Sequence, residues 1–450
     1  MRHTVSRPSR RQFIGSTAAL AVGGLHLGNF APRVLGQRAV PTLPLDELRL
    51  SGSPDEAYWW KVRSQYNLID GLTFMNNGTL GPMPKFVMDE HDRVFREIAS
   101  DPTNGYRRDE LDANRELLAA FVGAEPEEVA YTRSTTEGMN IFSMGVDWNE
   151  GDEILICTHE HNGGIEPYMT LEQRRHIKIA RIEIPSPPES IDQIVDLYER
   201  AITPRTRCIM VSHMTYVTGL LMPVKELSEL AHRNGLMISV DGAHPLGMIE
   251  LDMHDLGCDH YAAAGQKWIM AGTGTGLTYV SRDVMPNVWP LMGAGSFQNP
   301  DTGALDFYQD SRKYEDCGQR DVPSAFAMSA AVNFQNTIGK KAIESRVRQL
   351  TMQLKVGLAE IDGVKLWTSM KPELSAGLTL FSIRDIPMAN ITKALMDRDR
   401  IYIRTMGTGD LNAVRASTHI YNMPHEIERL LDGVRHLATH SSEYMSESTA

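Results

Sequence analysis

The fold is decided by one stretch of sequence, Leu236-Met237-Ile238-Ser239-Val240-Asp241-Gly242-Ala243-His244. Its first five residues form a short apolar run, which is typical of a buried β-strand, and polar residues follow the run directly. A helical stripe precedes the run and ends at Gly235. A helix that leads through a tight turn into a buried strand is the repeating unit of a parallel sheet, so this stretch predicts an α/β fold.

The same alternation continues on both sides of this stretch, over residues 150–285. Strands separated by helices of this length build a parallel sheet with right-handed crossovers. From about residue 335 the pattern predicts a smaller α/β domain. It consists of a long helix over 340–361, runs at Val364–Thr368 and Leu378–Ile383, a helix near 388–398, a strand pair through Tyr402–Met406 and Val414–Tyr421, and a last helix from about 425 to 440. The other predicted strands of the parallel sheet are Glu153–Cys157, Ile177–Ile184 and Cys208–Val211.

Ligands of such sheets bind beyond the carboxyl ends of the strands, so the polar residues there form the candidate site. Asp241 has two common uses at such a position, namely metal ligation and pairing with a buried cationic nitrogen. Lys267 follows in the sequence Ala264-Gly265-Gln266-Lys267-Trp268. A charged lysine is costly in this mostly apolar, glycine-flanked turn, which favours a neutral amine able to form a Schiff base.

A candidate phosphate site lies upstream, in Ser134-Thr135-Thr136-Glu137-Gly138, where a β-like run gives way to a helical pattern. Backbone N–H groups, hydroxyls and the positive end of a helix suit a phosphate, and the same residues also fit an ordinary capping box. The glycine-rich run at 272–276 is not a dinucleotide motif, because it leads into a strand. A dinucleotide motif leaves a strand and opens a helix.

In this order the motifs resemble those of the class V aminotransferases, a group of fold-type I enzymes that use pyridoxal 5′-phosphate (PLP). The group includes cysteine desulfurases, isopenicillin N epimerase-like proteins and relatives of kynureninase. The resemblance covers about residues 55–440, and it is carried by Asn76-Asn77-Gly78, Thr135-Thr136-Glu137-Gly138, Glu160-His161-Asn162, Asp241-Gly242-Ala243-His244, Gly265-Gln266-Lys267, Gly318-Gln319-Arg320-Asp321 and Val414-Arg415-Ala416-Ser417.

The resemblance implies a large PLP-binding domain over residues 76–330, with a mostly parallel seven-stranded sheet, and a smaller C-terminal α/β domain over 331–442. A linker and helix over 37–75 precede them, and a polar tail over 443–450 follows. Active sites of the family form at a dimer interface. We therefore expect a homodimer in which residues around Gly318–Asp321 reach the cofactor of the neighbouring subunit.

The resemblance also implies the roles of the cofactor-binding residues. Lys267 would join PLP as a Schiff base, and Asp241 would pair with the protonated ring nitrogen, so that the ring accepts electrons from the substrate. His161 would stack on the face of the ring. Thr136, with the backbone of Thr135, would hold the phosphate.

Four further residues receive roles in the same way. His244 falls where relatives place a group near the phenolic oxygen of the cofactor, and Gln266 could donate to the phosphate from its amide. Arg415 matches the arginine that clamps the substrate carboxylate with two charge-assisted hydrogen bonds. Asn77 would line the substrate pocket. The implied partner is a small amino-acid-like substrate.

Three departures from the family pattern narrow the activity. The family commonly has Ser-x-His before the lysine, whereas this chain has Ala264-Gly265-Gln266. Tyr216 stands where desulfurases carry an asparagine. No cysteine occurs between Met406 and Arg415, so the mobile nucleophile of desulfurases is absent. We therefore expect chemistry at Cα, closest to the epimerase-like branch. Transamination, epimerization and elimination stay open, because the lysine–aspartate–histidine core is common to all three.

The N-terminal residues Ser9-Arg10-Arg11-Gln12-Phe13-Ile14 resemble a twin-arginine export signal. A weakly apolar run and small residues complete a signal peptide over 1–36, which is short and interrupted for a membrane span. This predicts a periplasmic or secreted enzyme, exported folded with its cofactor and free of the membrane after cleavage. A looser resemblance to the periplasmic PLP enzyme that tailors pyoverdine siderophores gives an alternative substrate, a secreted peptide or siderophore precursor.

Charge and composition weigh against other partners. The 450 residues carry a net charge of -12 without a basic stripe, so nucleic acid and anionic membranes are poor candidates. A noncatalytic protein with a degenerate PLP fold is disfavoured by Lys267 and Asp241 together. A metal-dependent hydrolase leaves Lys267 and Arg415 without a role, so we expect no metal. Its ligands would come from His159, Glu160, His161, Asp241 and His244.

Overall fold

The computed structural model describes residues 42–293, 297–298, 302–303, 305–407 and 411–445. Its strands are β1 (Thr73–Phe74), β2 (Val129–Thr132), β3 (Glu153–Cys157), β4 (Lys178–Ile182), β5 (Thr206–Ser212), β6 (Met237–Gly242), β7 (His260–Ala264), β8 (Gly276–Val280), β9 (Phe297–Gln298), β10 (Leu305–Asp306), β11 (Val364–Leu366), β12 (Leu378–Ile383), β13 (Ile401–Tyr402), β14 (Arg404–Met406) and β15 (Ala413–Ser417).

The α-helices of the described residues are α1 (Leu45–Leu48), α2 (Glu56–Arg63), α3 (Lys85–Ser100), α4 (Arg108–Val122), α5 (Thr135–Gly145), α6 (Asn162–Arg175), α7 (Ile191–Ala201), α8 (Val224–Arg233), α9 (Met253–Leu256), α10 (Val322–Ile338), α11 (Lys340–Ala359), α12 (Met388–Asp399) and α13 (Pro424–Thr439). Short 3₁₀ helices lie at Pro102–Asn104, Pro126–Glu128, Met285–Asn287, Ser311–Tyr314, Pro372–Leu374 and Ser441–Glu443.

The central sheet has seven strands in the order β2-β8-β7-β6-β5-β3-β4. Strands β4, β3, β5, β6 and β7 run parallel, whereas β8 pairs antiparallel with both β7 and β2. The predicted α/β fold with a mostly parallel seven-stranded sheet is therefore confirmed. Strand β3 is buried at every position, as expected for an apolar run covered by helices on both faces. The edge strand β4 exposes Lys178 and Arg181, charges that discourage pairing with another chain.

The helix before β6 shows how sequence pattern becomes packing. Helix α8 buries Val224, Leu227, Leu230 and Ala231, one apolar face at helical spacing. Each of the larger side chains contributes roughly 1.5–3 kcal/mol by leaving water. The chain then turns at Gly235, whose φ of 67° is left-handed and favours glycine. This turn delivers the chain into β6, which carries Asp241 at its carboxyl end.

A second sheet is antiparallel, in the order β11-β12-β15-β14. Helices α11, α12 and α13 pack against it around a core that includes Phe381, Val414, Ile427 and Leu430. Helix α11 and strand β12 lie where the sequence predicted a long helix and an apolar strand. The proposed boundary at residues 330 and 331 falls within α10, and the division into two domains stays a prediction.

One short segment connects the second sheet to the lysine turn. Strand β1 pairs in parallel with β13, and Asn76 just after it bridges to Ser417 in β15. A few residues later, the backbone N–H of Gly81 donates to the carbonyl of Gln266 at 2.8 Å. Residues 76–81 therefore lie between β15 and the turn that carries Lys267.

The predicted signal peptide over residues 1–36 lies outside the described residues, as do residues 446–450 of the predicted tail. Among the helices that are described, none has the length and apolar character needed to cross a membrane.

Candidate active site

A cavity of about 220 Å³ lies beyond the carboxyl end of β6 and receives residues from both sheets. All of the predicted site residues except Asn77 line it. The lining consists of Gly78, Thr79, Ser134, Thr135, Thr136, His161, Gly163, Tyr216, Asp241, Ala243, His244, Gln266, Lys267, Arg404 and Arg415. The structure thus brings together residues that the sequence places in six separate motifs.

Asp241 is the buried acid of the cavity. Its side chain is 4% exposed, and its Oδ1 accepts a hydrogen bond from the backbone N–H of Ala243 at 3.0 Å. Burial raises the pKa of Asp241, while the nearby positive charge of Lys267 acts in the opposite direction. Gly164 permits the close approach of α6, since a Cβ there would lie 2.9 Å from Oδ2 of Asp241. The carboxylate keeps lone pairs for a cationic partner.

Lys267 and His244 form the reactive corner of the cavity, with Nζ of the lysine 3.5 Å from Nε2 of the histidine. The indole N–H of Trp268 donates to Nδ1 of His244 at 3.1 Å. Burial holds the pKa of His244 well below its usual value, so the ring is neutral and carries its proton on Nε2. Burial also lowers the pKa of Lys267 to about 8. The N–H at Nε2 of His244 faces Nζ of Lys267, and a donor in this position further favours the neutral amine of the lysine.

The backbone of the lysine turn is held by distant parts of the chain, through the carbonyls of residues 266–268. The carbonyl of Gln266 accepts from the backbone N–H of Gly81 at 2.8 Å. The carbonyl of Lys267 accepts from Nδ2 of Asn77 at 3.3 Å. The carbonyl of Trp268 accepts from Nε2 of Gln335 at 2.9 Å and from Nε2 of His419 at 2.7 Å. Asn77, predicted in the substrate pocket, therefore supports the lysine turn and does not line the cavity.

The start of α5 provides the candidate phosphate site. Ser134 caps the helix, and its Oγ accepts from the backbone N–H of Glu137 at 3.2 Å. The buried hydroxyl of Thr135 has no hydrogen-bond partner among the described residues. A Cβ on Gly163 would lie 2.6 Å from Oγ1 of Thr136, so glycine keeps this space open. Unpaired N–H groups of the first helical turn and an orphan hydroxyl match the needs of a phosphate.

Arg415 is a buried cation without an acidic partner among the described residues. It is 1% exposed, its Nη1 donates to the backbone carbonyl of Tyr216, and its Nε has no partner. Burial, together with the positive charge of Arg404, lowers the pKa of Arg415 to about 9. An uncompensated buried charge is costly, so this arrangement is suited to an incoming carboxylate.

His161 lies at the start of α6, where its Nδ1 accepts from the backbone N–H of Gly163 at 3.0 Å. Burial lowers the pKa of His161, which favours the neutral ring with its proton on Nε2. The ring meets Tyr216 edge to face, with centroids 4.9 Å apart and an interplanar angle of 89°. Tyr216 is thus tied to both His161 and Arg415.

Three lining residues, Thr79, Gly163 and Arg404, were not predicted from the sequence. Nη1 of Arg404 donates to Oγ1 of Thr79 at 2.7 Å, and Nη2 of Arg415 lies 3.5 Å from the same oxygen. The sequence did predict that the strands of the two arginines pair. Their register, which places the arginines opposite each other, had no signal in the sequence.

PLP, the cofactor that the resemblance implies, requires an amine, an acid for its ring nitrogen and a phosphate cradle. The structure offers each of these around one cavity, with a buried hydroxyl on Thr135 and Oε1 of Gln266 lacking partners among the described residues. These residues fit PLP. Lys267 would hold its aldehyde carbon, Asp241 its ring nitrogen, and Thr135 with Thr136 its phosphate.

Uptake of PLP by the apoprotein is expected to depend on pH with a midpoint near 8. Only the unprotonated amine of Lys267 can attack an aldehyde, and burial lowers its pKa to about 8. Below the midpoint the rate should rise about tenfold per pH unit, and above it the rate should level off. The growth of the visible chromophore measures this rate. A midpoint near the ordinary lysine value of 10.5 would contradict the prediction.

Gly81→Ala should displace the lysine turn. A Cβ at this position would lie 2.3 Å from the carbonyl oxygen of Lys267 and 2.7 Å from Oδ1 of Asn77. The carbonyl cannot move aside as a flexible side chain can, so we expect a loss of about 1–3 kcal/mol in the free energy of unfolding and weaker PLP binding. Chemical denaturation measures the first effect. Gly293→Ala, where a Cβ meets no atom within 4 Å, is the control, and equal stability of the two variants would count against the clash.

The residues of the hydrolase alternative do not assemble into a metal site. Among the described residues, no group of three or more His, Cys, Asp or Glu side chains is placed to hold a metal ion. Nε2 of His159 lies 3.4 Å from Oγ of Ser186. Glu160 accepts from Sγ of Cys157 at 3.0 Å and from the backbone N–H of Ser212 at 2.8 Å. His159 and Glu160 are therefore engaged with neighbouring side chains and backbone, and they are not grouped as metal ligands.

Comparison with known proteins supports the same assignment. The profile of the family described as Aminotransferase class-V matches residues 76–430. The isopenicillin N epimerase of Amycolatopsis lactamdurans is 30% identical over 393 residues, which cover 84% of this chain and 98% of that protein. The isopenicillin N epimerase of Streptomyces clavuligerus is 27% identical over 84% of this chain and 98% of its own length.

Further similarity is found to a probable cysteine desulfurase of Methanothermobacter thermautotrophicus, which is 26% identical over 84% of this chain and 97% of that protein. Among solved structures, a mutant of C-DES with glycine covalently linked to its PLP cofactor is similar with a TM-score of 0.76 and 24% identity, over 85% of this chain and 99% of that one. An apo cysteine desulfurase of Thermococcus onnurineus is similar with a TM-score of 0.74 and 23% identity, over 84% and 98% of the two chains.

Proposed function

Because this chain belongs to the class V aminotransferase family, we propose that it epimerizes an amino acid or an amino-acid-like substrate at Cα. It is a PLP-dependent enzyme that acts on amino acids. The observation that carries the finer proposal is the set of acid–base groups around one cavity, combined with a sequence that has no cysteine after Cys317. Two of its relatives are isopenicillin N epimerases, which supports the same choice.

The chemistry that PLP supplies when bound is withdrawal of electrons from Cα, which makes the Cα proton acidic. Lys267, whose pKa burial lowers to about 8, takes this proton at Nζ when its amine is unprotonated. The guanidinium of Arg415 holds the substrate carboxylate and so fixes which bond of Cα faces the lysine. Asp241 would hold the proton of the ring nitrogen.

Epimerization also needs a proton delivered to the opposite face of Cα. His161 lines the same cavity, and its hydrogen bond from Gly163 leaves the ring proton on Nε2. We assign His161 as the residue that relays this second proton. Its contact with Tyr216 restricts the ring to one orientation, which suits a group that must act at a single atom.

Incubation of the purified enzyme with amino acids and short peptides in deuterated water tests the proposal. Epimerization predicts deuterium at Cα together with inverted configuration, both of which chiral chromatography with mass spectrometry detects. Keto-acid formation without inversion would assign transamination, and ammonia or a released side-chain fragment would assign elimination. Either result would replace the proposed reaction.

Export by the twin-arginine pathway is the second part of the proposal. Its support is the sequence Ser9-Arg10-Arg11-Gln12-Phe13-Ile14, which lies outside the described residues. Replacement of both Arg10 and Arg11 by lysine should retain the enzyme in the cytoplasm, whereas replacement of Arg2 and Arg7 by lysine should not. Fractionation of the native host, followed by assay and immunoblot, measures both. Active enzyme found only in the cytoplasm would refute export.

A homodimer is the third part, and large apolar side chains on the surface support it. Phe95, Tyr106 and Trp289 are 60%, 55% and 57% exposed. Nε2 of Gln319, in the segment expected to reach the neighbouring subunit, donates at 2.6 Å to the hydroxyl of Tyr106, one of these exposed side chains. Sedimentation equilibrium should give twice the chain mass, and an active monomer would contradict the assembly.

A further inference from the structure

Two arginines stand directly opposite each other in the second sheet. Strands β14 and β15 are antiparallel, and Arg404 is the register partner of Arg415. Side chains of opposed residues in an antiparallel pair lie on the same face, and like charges in that position destabilise the sheet. Both side chains line the cavity that holds Lys267 and Asp241. The protein therefore maintains an unfavourable pair of cations at its active site.

No acidic side chain among the described residues compensates this pair. Arg404 donates to the hydroxyl of Thr79, and Arg415 donates to the carbonyl of Tyr216, both of them neutral acceptors. Asp241 is the one carboxylate that lines the cavity within the described part of the chain, and its strongest favourable charge interaction is with Lys267. The two guanidinium groups are thus left for anions that enter from outside.

The proposed function accounts for one of these anions. The α-carboxylate of the substrate would occupy Arg415, which is buried and has an unpartnered Nε. Arg404 is exposed although it lines the same cavity, so it lies at the rim, where a longer part of the substrate passes. A phosphate at the start of α5 would be held by other residues, namely Thr135 and Thr136.

We propose that the substrate carries a second carboxylate, which Arg404 binds at the rim of the cavity. The inference rests on the proposed function, because it takes Arg415 as the site of the α-carboxylate. The second carboxylate belongs either to the side chain of an acidic amino acid or to the C-terminus of a short peptide attached through its side chain. Arg404 is thus a specificity-determining residue, and its planar fork suits a carboxylate better than a lysine would.

The test compares acids with their amides on the holoenzyme. Dissociation constants for aspartate and asparagine, for glutamate and glutamine, and for γ-glutamylalanine and its C-terminal amide are measured from the change in the visible absorbance of the bound cofactor. We expect at least one acid of these pairs to bind about tenfold more tightly than its amide, as a charge-assisted hydrogen bond at a partly exposed site provides. Free amino acids and the peptide distinguish the two sources of the carboxylate.

Variants assign the preference to one residue. Arg404→Ala should weaken binding of the preferred acid about tenfold more than binding of its amide, and Arg404→Lys should restore part of the difference. Arg435→Ala removes an exposed cation that pairs with Asp432 and should leave both constants unchanged. A rising salt concentration should weaken binding of the acids more than binding of the amides.

The possible outcomes separate this inference from the proposed function. Equal binding of acids and amides, with spectral changes for both, would overturn the second carboxylate and leave the proposed function standing. An acid preference that survives in Arg404→Ala would remove Arg404 from the assignment. The absence of any spectral change with every amino compound would overturn both proposals together.

Discussion

Lys267→Ala is expected to yield a colourless protein with turnover reduced by about 10³-fold or more. The substitution removes the amine that is proposed to join the cofactor and to take the Cα proton. His244, 3.5 Å from Nζ in the wild type, would lose its neighbour but keep its hydrogen bond from Trp268. The fold around the turn should therefore persist. Absorbance after reconstitution with PLP, and turnover under the same conditions, measure the two effects.

A matched control separates loss of this lysine from loss of any buried lysine. Burial also lowers the pKa of Lys355 to about 8, but its Nζ donates to the carbonyl of Ser369 and to Oγ of Ser375, away from the cavity. Lys355→Met should reduce the free energy of unfolding and still give a yellow protein. If Lys267→Ala retained both colour and turnover, the assignment of the active site would fail.

Asp241→Asn is expected to lower kcat/KM by about 10²–10⁴-fold while PLP still binds. The amide keeps the shape of the side chain but loses the negative charge that would hold the proton of the ring nitrogen. The same charge raises the pKa of Lys267, so its removal should move the midpoint of PLP uptake below about 8. A steady-state assay and the pH profile of uptake report the two effects separately.

Asp259→Asn provides the comparison, because Asp259 is also a buried aspartate whose pKa is raised by burial. It lies before β7, and its Oδ2 accepts from the backbone N–H of Ile238 at 2.8 Å. Ile238 is near the amino end of β6, whereas Asp241 is near its carboxyl end. This variant should change stability without moving the midpoint of uptake. A midpoint that stays at 8 in Asp241→Asn would show that the two groups do not interact.

The buried strands were predictable because their physical signal is local. Strands β3 and β12 occupy the predicted residues, since an uninterrupted apolar run has no favourable alternative to burial in a sheet. The same reasoning placed Asp241 at a strand end. Lys267 was placed by its apolar, glycine-flanked turn and by the family pattern. These predictions needed no knowledge of how distant segments meet.

The features that the sequence did not predict depend on contacts between segments that are far apart in the chain. Arg404 joins the cavity only through the register of β14 against β15, which spacing along the chain does not determine. Nδ2 of Asn77 donates to the carbonyl of Lys267, a contact between segments far apart in sequence, and its expected role in the substrate pocket stays a prediction. The antiparallel pairing of β8 with β7 and β2 likewise reflects topology and not composition.

The hydrogen bonds to the carbonyls of residues 266–268 have a consequence for the order of events during biosynthesis. Their donors, Gly81, Asn77, Gln335 and His419, span most of the described chain, and His419 is translated last. Because synthesis proceeds from the N-terminus, the lysine turn reaches its final geometry only when nearly the whole polypeptide has emerged. Acquisition of colour would then be a late maturation step, and a polypeptide that stops short of residue 419 would remain pale.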